Sequence, residues 1–204
     1  LYHAQTKLNR TDWAIADDEG FDTPWQRAQM DALIARRPEF APHKATLYHF
    51  SAMAYARESR RIVGLHTLTA REIDRKPGTP IQFADTVALG DYAVDLHGSM
   101  KAELLEPGLD RPEDMPHKFA ERGLGPFAIP FGCFIPAELD GFLPAEKNFS
   151  QSRLANGATR LQPHTLNMGQ AVGVIAALAI ERSVAPRALD PKLVQRVLVD
   201  AGCT

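Results

Sequence analysis

Cysteine is scarce: Cys133 and Cys203 are the only two among 204 residues. Thiols so far apart give neither a disulfide framework nor a metal-ligand spacing. No HExxH or CxxC accompanies the seven histidines, so no metal site is expected. Long apolar runs are missing as well. The longest, Ala171 to Ile180, is about half the ~20 residues that a membrane helix needs, which argues against a spanning protein. Charge of one sign is not in excess either. With 23 Lys+Arg against 25 Asp+Glu, the net charge is −2, and the electrostatic footprint of a general nucleic-acid binder is absent. Methionine does not stand at position 1, and no basic-plus-apolar leader follows Leu1. The expectation is a chain that begins after processing, proteolysis or a missing piece.

What is present describes a globular protein. Hydrophobic residues make up 45% and charged residues 24%, enough to bury a core in one large domain or two small ones. Thr23-Pro24 reads as a helix start, with apolar Met30, Leu33 and Ile34 following at helical spacing and a stop near Arg37. A second helical stretch is expected over Lys44 to Tyr55. From Arg60 the period changes to that of a strand buried on both faces, with Ile62, Gly64, His66 and Leu68 on one side. Asp74 to Pro80 reads as a turn, and Thr86 to Leu96 as a strand pair or a strand broken at Gly90. Leu105 to Pro116 reads as surface loop. Ile129 to Ile135 and Phe142 to Ala145 read as strands. Asn167 to Arg182 forms a helix, and Asp190-Pro191 opens another that Gly202 closes.

A dinucleotide fingerprint fits on paper at Gly123-Leu-Gly-Pro-Phe-Ala128 but fails on context. No strand precedes it, and Pro126 has no amide hydrogen for a phosphate. P-loop and nucleophile-elbow motifs are absent. The informative stretch is Phe142-Leu-Pro-Ala-Glu146-Lys147-Asn148, then Asn156-Gly-Ala-Thr-Arg160-Leu-Gln-Pro163-His164, then Asn167-Met168-Gly169-Gln170-Ala171-Val-Gly173. It describes a short strand ending in a carboxylate, a polar loop, and a helix whose first turns are rich in Gly and Ala. Small residues at Gly169, Gly173 and Ala177 suit either tight packing or helix-start amides facing an electron-rich ligand.

Other polar groups have two readings each. In Arg57-Glu-Ser-Arg-Arg the arginines flank Glu58, as in an ion-pair network, or Arg57 or Arg60 holds an anionic substrate through the guanidinium fork. Asp95-x-His97 puts both side chains on one face of a strand, as a structural pair or as an Asp-oriented proton donor or acceptor. Arg160 and His164 are further candidates. His3, His43, His49 and His117 read as surface or packing residues.

Four segments together resemble the C-terminal part of FAD-dependent oxidoreductases of the glutathione-reductase-like flavoprotein superfamily, within it the xanthan-lyase-related group. They are Arg57 to Gly64, Ala88 to His97, Pro130 to Pro136, and the strand–loop–helix just described. The resemblance implies a mixed α/β fold: the C-terminal portion of an FAD/NAD(P)-binding-type fold with part of an antiparallel α+β substrate domain. Residues 1–128 would be a partial substrate or cap domain, and 129–204 the closing strand and helices of the FAD-binding domain. It implies FAD as cofactor in the full-length protein, and hydride transfer between FAD and a small-molecule substrate. Glu146 would accept hydrogen bonds from ribityl hydroxyls, and Met168, Gly169, Gln170 and Ala171 would present backbone amides to the flavin ring. His97, Arg57 and Arg160 are the catalytic candidates. The Gly-rich pyrophosphate turn of the family does not occur here, so the expected partner is a missing N-terminal FAD-binding half, and this fragment alone should bind FAD weakly or not at all. A homo-oligomer is left open, and a cytoplasmic location fits the free thiols. Two other readings stand beside it: a polysaccharide-acting lyase or hydrolase, suggested by the group's name, and a non-catalytic truncated module.

Overall fold

A computed structural model of the chain describes residues 28, 31–32, 34–43, 60–73, 83–95, 105–114 and 126–203. The chain divides into two compact units, Leu1–Arg57 and Glu58–Thr204. In the first, positions 28, 31–32 and 34–36 are helical. The amide of Arg37 closes on the carbonyl of Ile34 at 3.1 Å, and a 3-10 turn, Pro38–His43, follows. The helix thus stops where Pro38 requires it to stop. The expected helix over Lys44 to Tyr55 lies outside the described residues, as do Arg57, His97 and the turn over 74–80.

The second unit is mixed α/β, as the resemblance implied. Its elements are α1 (Ala70–Ile73), β1 (Thr86–Gly90), β2 (Phe127–Pro130), α2 (Arg153–Thr159), α3 (Gln162–Arg182) and α4 (Pro191–Asp200). β1 and β2 pair antiparallel, with Leu89 opposite Ala128, Gly90 opposite Phe127, and a bulge between Thr86 and Ala88. The residue 128/129 position expected as a domain boundary falls inside β2. Gly90 has a steric reason: a Cβ there would stand 2.4 Å from Cζ of Phe127, whose ring lies over the bare backbone. α3 and α4 pack on β1, and the core between them includes Phe127, Phe134, Phe149, Leu154, Met168 and Ile175, all fully buried.

The helix ends follow their local chemistry. Asp190 caps α4 by accepting from the amide of Lys192 at 3.0 Å, with Pro191 in the first turn. Gly202, at φ 76°, closes it: its amide meets the carbonyl of Val199 at 2.9 Å, and Cys203 N–H meets Leu198 C=O at 2.8 Å. This is the paired-bond Schellman ending that favours glycine. At the end of α3, Ser183 takes the left-handed conformation at φ 53°.

Several local expectations are corrected. α3 begins at Gln162 rather than Asn167, because Pro163 sits in its first turn, where a missing amide hydrogen costs nothing. β2 ends at Pro130, and Phe131–Phe134 is a 3-10 turn. Residues 142–145 are irregular rather than a strand. The stretch 60–68 is extended but is not a strand buried on both faces: Val63 is 76% and Leu65 55% exposed. Its backbone bonds alternate between two separate segments instead of one ladder. Leu65 N–H donates to Ile135 C=O and His66 N–H to Gly132 C=O, while Ile62 N–H donates to Asn148 C=O and Leu68 N–H to Ser150 C=O. Residues 127–130 form a strand where a dinucleotide fingerprint at 123–128 would need a helix. One organiser was not foreseen. Arg187 donates to Asp140 Oδ1 at 2.7 Å and to the carbonyls of Ala137, Pro136 and Leu139, and so fixes loop 136–140.

Candidate functional site

The site is built where loop 144–148 meets α2 and the first turns of α3. Ser150, Gln151 and Ser152 are buried, and Ser152 caps α2 by accepting from Ala155 N–H at 3.2 Å. Gln151 Nε2 donates to the carbonyl of Lys147 at 2.9 Å, and Thr159 Oγ1 donates to Gln151 Oε1 at 2.5 Å. Asn156 Nδ2 reaches the same Lys147 carbonyl at 3.3 Å. With Phe149 N–H closing on Glu146 C=O at 3.2 Å, the loop is held from beneath, and Glu146 stands exposed at its tip. Asn156 is 1% exposed, yet its Oδ1 has no hydrogen-bond partner among the described residues. Such an orphan costs about 1–3 kcal/mol unless a donor reaches it.

α3 comes close to this loop. A Cβ on Gly169 would lie 3.8 Å from Ala145 C=O, an ordinary contact, and one on Gly173 would meet nothing within 4 Å among the described residues. The structure thus brings Gly169 and the Glu146 loop together. Gln170 projects outward, whereas Met168 and Ala171 are fully buried in the core. The amides of residues 168–171 lie within the helix ladder, which leaves free amides one turn earlier, at Gln162 and His164. Backbone donation from 168–171, as expected from the resemblance, is therefore not available in this helix.

The remaining candidates secure the open edge of β1. Asn167 Oδ1 accepts from Leu89 N–H at 2.8 Å, His164 Nε2 accepts from Asp91 N–H at 3.1 Å, and Gln195 Nε2 donates to Thr86 C=O at 2.9 Å. Side chains thereby occupy backbone groups that would otherwise recruit another strand. Arg160 donates to the carbonyl of Asp95 through Nη2, and Asp95 N–H donates to Gly157 C=O at 3.2 Å. Arg160 is thus a tie holding Asp95 against α2. His97 and Arg57 lie outside the described residues, and Arg60 is exposed.

His164 is 6% exposed, and burial holds its pKa below the ordinary value. Because Nε2 accepts a hydrogen bond, the folded state requires the neutral ring. The unfolded chain takes up a proton near pH ~6.5. This contribution to stability is complete above that pH and declines as pH falls through it toward the lower folded pKa. Urea unfolding should show a steeper loss of stability below pH ~6.5 in the native protein than in His164→Gln; equal slopes would contradict this role. Cys133 is fully buried, and burial raises its pKa well above the usual thiol range, so it stays an inert thiol.

One pair escaped the sequence reading. His66 Nε2 stands 2.9 Å from Glu72 Oε1, with the Phe83 ring edge-on to the imidazole at 5.2 Å. Glu72 is fixed because Thr69 N–H and Oγ1 donate to its other oxygen at 2.7 and 2.8 Å. The Thr69-x-x-Glu72 capping box was the available signal, but only the fold brings the imidazole to it. Among the described residues, no group of three or more His, Cys, Asp and Glu could hold a metal ion, and no helix is long and apolar enough to cross a membrane.

A family model for FAD dependent oxidoreductase matches residues 3–198. The chain belongs to that family. No curated protein and no solved structure matches it. The residues present suit part of an FAD site in one respect: ribityl hydroxyls are donors, and the loop offers an exposed acceptor in the Glu146 carboxylate.

Proposed function

We propose that the full-length protein is an oxidoreductase of the glutathione-reductase-like flavoprotein type that moves a hydride between a small-molecule substrate and FAD. The observation that carries this reading is the family match over 3–198, joined to an exposed carboxylate at Glu146 and a glycine of α3, Gly169, beside its loop. Bound FAD supplies the two-electron carrier. Glu146 holds hydroxyl groups of the cofactor, Gly169 keeps the helix surface low beside the loop, and Gln170 offers its exposed side-chain amide. Met168 and Ala171 support that surface from the core. The positive end of α3, at Gln162 and His164, favours negative charge on a reduced ring.

His97, two residues beyond the tied backbone of Asp95, takes or returns the substrate proton, and Arg57 holds an anionic substrate group. Arg160 acts through Asp95 as a positioning residue. The pyrophosphate turn that the 204 residues lack is supplied by an N-terminal FAD-binding half, and the protein works in the cytoplasm. The family match concerns an oxidoreductase and lends no support to a lyase or hydrolase. Glu146→Ala in the full-length protein should lower retained FAD several-fold with an unchanged melting temperature, because Glu146 is exposed and caps nothing. Full FAD retention in that variant would remove Glu146 from the site.

A further inference from the structure

A cavity of about 360 Å³ opens between β1 and α4, lined by Val87, Leu89, Asn167, Gln195, Leu198 and Cys203 among others. None of Glu146, Met168, Gly169, Gln170 or Ala171 lines it, so it is separate from the proposed cofactor surface. Its volume lies in the range of small-molecule sites. Its walls are mostly apolar, with two side-chain amides whose orientation the backbone fixes. Asn167 faces the N–H of Leu89 and must turn its oxygen there, which leaves Nδ2 as a donor. Gln195 faces the carbonyls of Ala84 and Thr86, at 2.8 and 2.9 Å, and must turn its nitrogen there, which leaves Oε1 as an acceptor. Neither remaining atom has a partner among the described residues.

We propose that this cavity binds a neutral carboxamide with a small apolar body. The ligand's carbonyl accepts from Asn167 Nδ2, its N–H donates to Gln195 Oε1, and its hydrocarbon part lies against Val87, Leu89 and Leu198. A charged ligand is excluded, since the described lining carries no ionic side chain to replace lost water. An apolar ligand without the amide leaves both polar atoms unpaired.

Cys203 reports occupancy, since it lines the cavity and is only half-buried. The full-length protein would be alkylated with iodoacetamide, and the Cys203 peptide followed by mass spectrometry with millimolar benzamide, toluene or benzoate present. Benzamide should slow alkylation several-fold, and toluene and benzoate should have little effect. Val199 is 60% exposed at the cavity wall, so Val199→Trp should fold and abolish the protection by benzamide. Gln195→Met should weaken it. Equal protection by toluene would overturn amide recognition. No protection by benzamide, or protection that persists in Val199→Trp, would overturn the site itself.

Discussion

Glu106→Ala should destabilise the protein by about 2–4 kcal/mol, because it removes the carboxylate that joins three parts of the chain. Arg61 Nη2 pairs with Glu106 Oε1, while Glu106 Oε2 accepts from Arg153 N–H at 2.8 Å at the start of α2. Arg61 also donates from Nε to Gln151 C=O at 2.8 Å. The Arg61 side chain is 12% exposed and that of Glu106 33%, so the pair is far from the surface limit, where such bridges contribute little. Losing the carboxylate weakens the pairing of a largely buried guanidinium and takes the acceptor from Arg153 N–H, a larger penalty than the bond's own strength. Glu106→Gln keeps an acceptor for Arg153 N–H and should cost about half as much. Denaturant unfolding of the two variants tests this. A cost below about 0.5 kcal/mol for the alanine variant would mean that solvent already screens the pair.

Gly64→Ala should destabilise by about 1–3 kcal/mol or more, although it adds a single methyl group. The new Cβ would stand 2.8 Å from Gly132 C=O and 2.8 Å from Cβ of Ser150. Neither neighbour is the free end of a flexible side chain, so the backbone of 60–68 must move away from both segments that hold it. Gly132 is nearly as constrained, with His66 Cβ 3.1 Å from where its own Cβ would lie. Gly173→Ala is the contrasting case, since nothing among the described residues stands within 4 Å and alanine favours a helix by about 1 kcal/mol. Thermal melts of the two variants should shift in opposite directions. Equal, small shifts would show that the 60–68 segment yields easily.

These glycines show what was legible from residues alone. Gly64 and Gly132 stand in two separate segments of the family resemblance, and the fold makes them neighbours across a contact that only glycine permits. The two C-terminal helices were legible because their caps are local: Asp190-Pro191 and Gly202 act within one turn of their own positions. The start of α3 was displaced because Pro163 resembles a loop residue until its place in a first turn is known. The 60–68 stretch misled for a different reason. Alternation reports an extended backbone, but not whether its bonds go to one ladder or to two unrelated loops. The long-range ties were invisible: Arg61 to Glu106, Arg160 to Asp95, and Arg187 to loop 136–140. Each joins a guanidinium to a partner that sequence spacing does not specify. At the site, Glu146 and Gly169 were legible as candidates, whereas the buried Asn156 Oδ1 required the fold.

Whether the Glu146 loop and Gly169 of α3 form part of an FAD site is read from the flavin retained by the purified full-length protein, native and carrying Gly169→Leu. A Cβ at Gly169 would meet Ala145 C=O at 3.8 Å, an ordinary contact and the nearest among the described residues, and a melting curve checks that the leucine variant stays folded. The native protein should carry FAD, and the leucine variant should lose most of it while staying folded. FAD held equally by both proteins, or a native protein that cannot be reconstituted with FAD, would contradict the account.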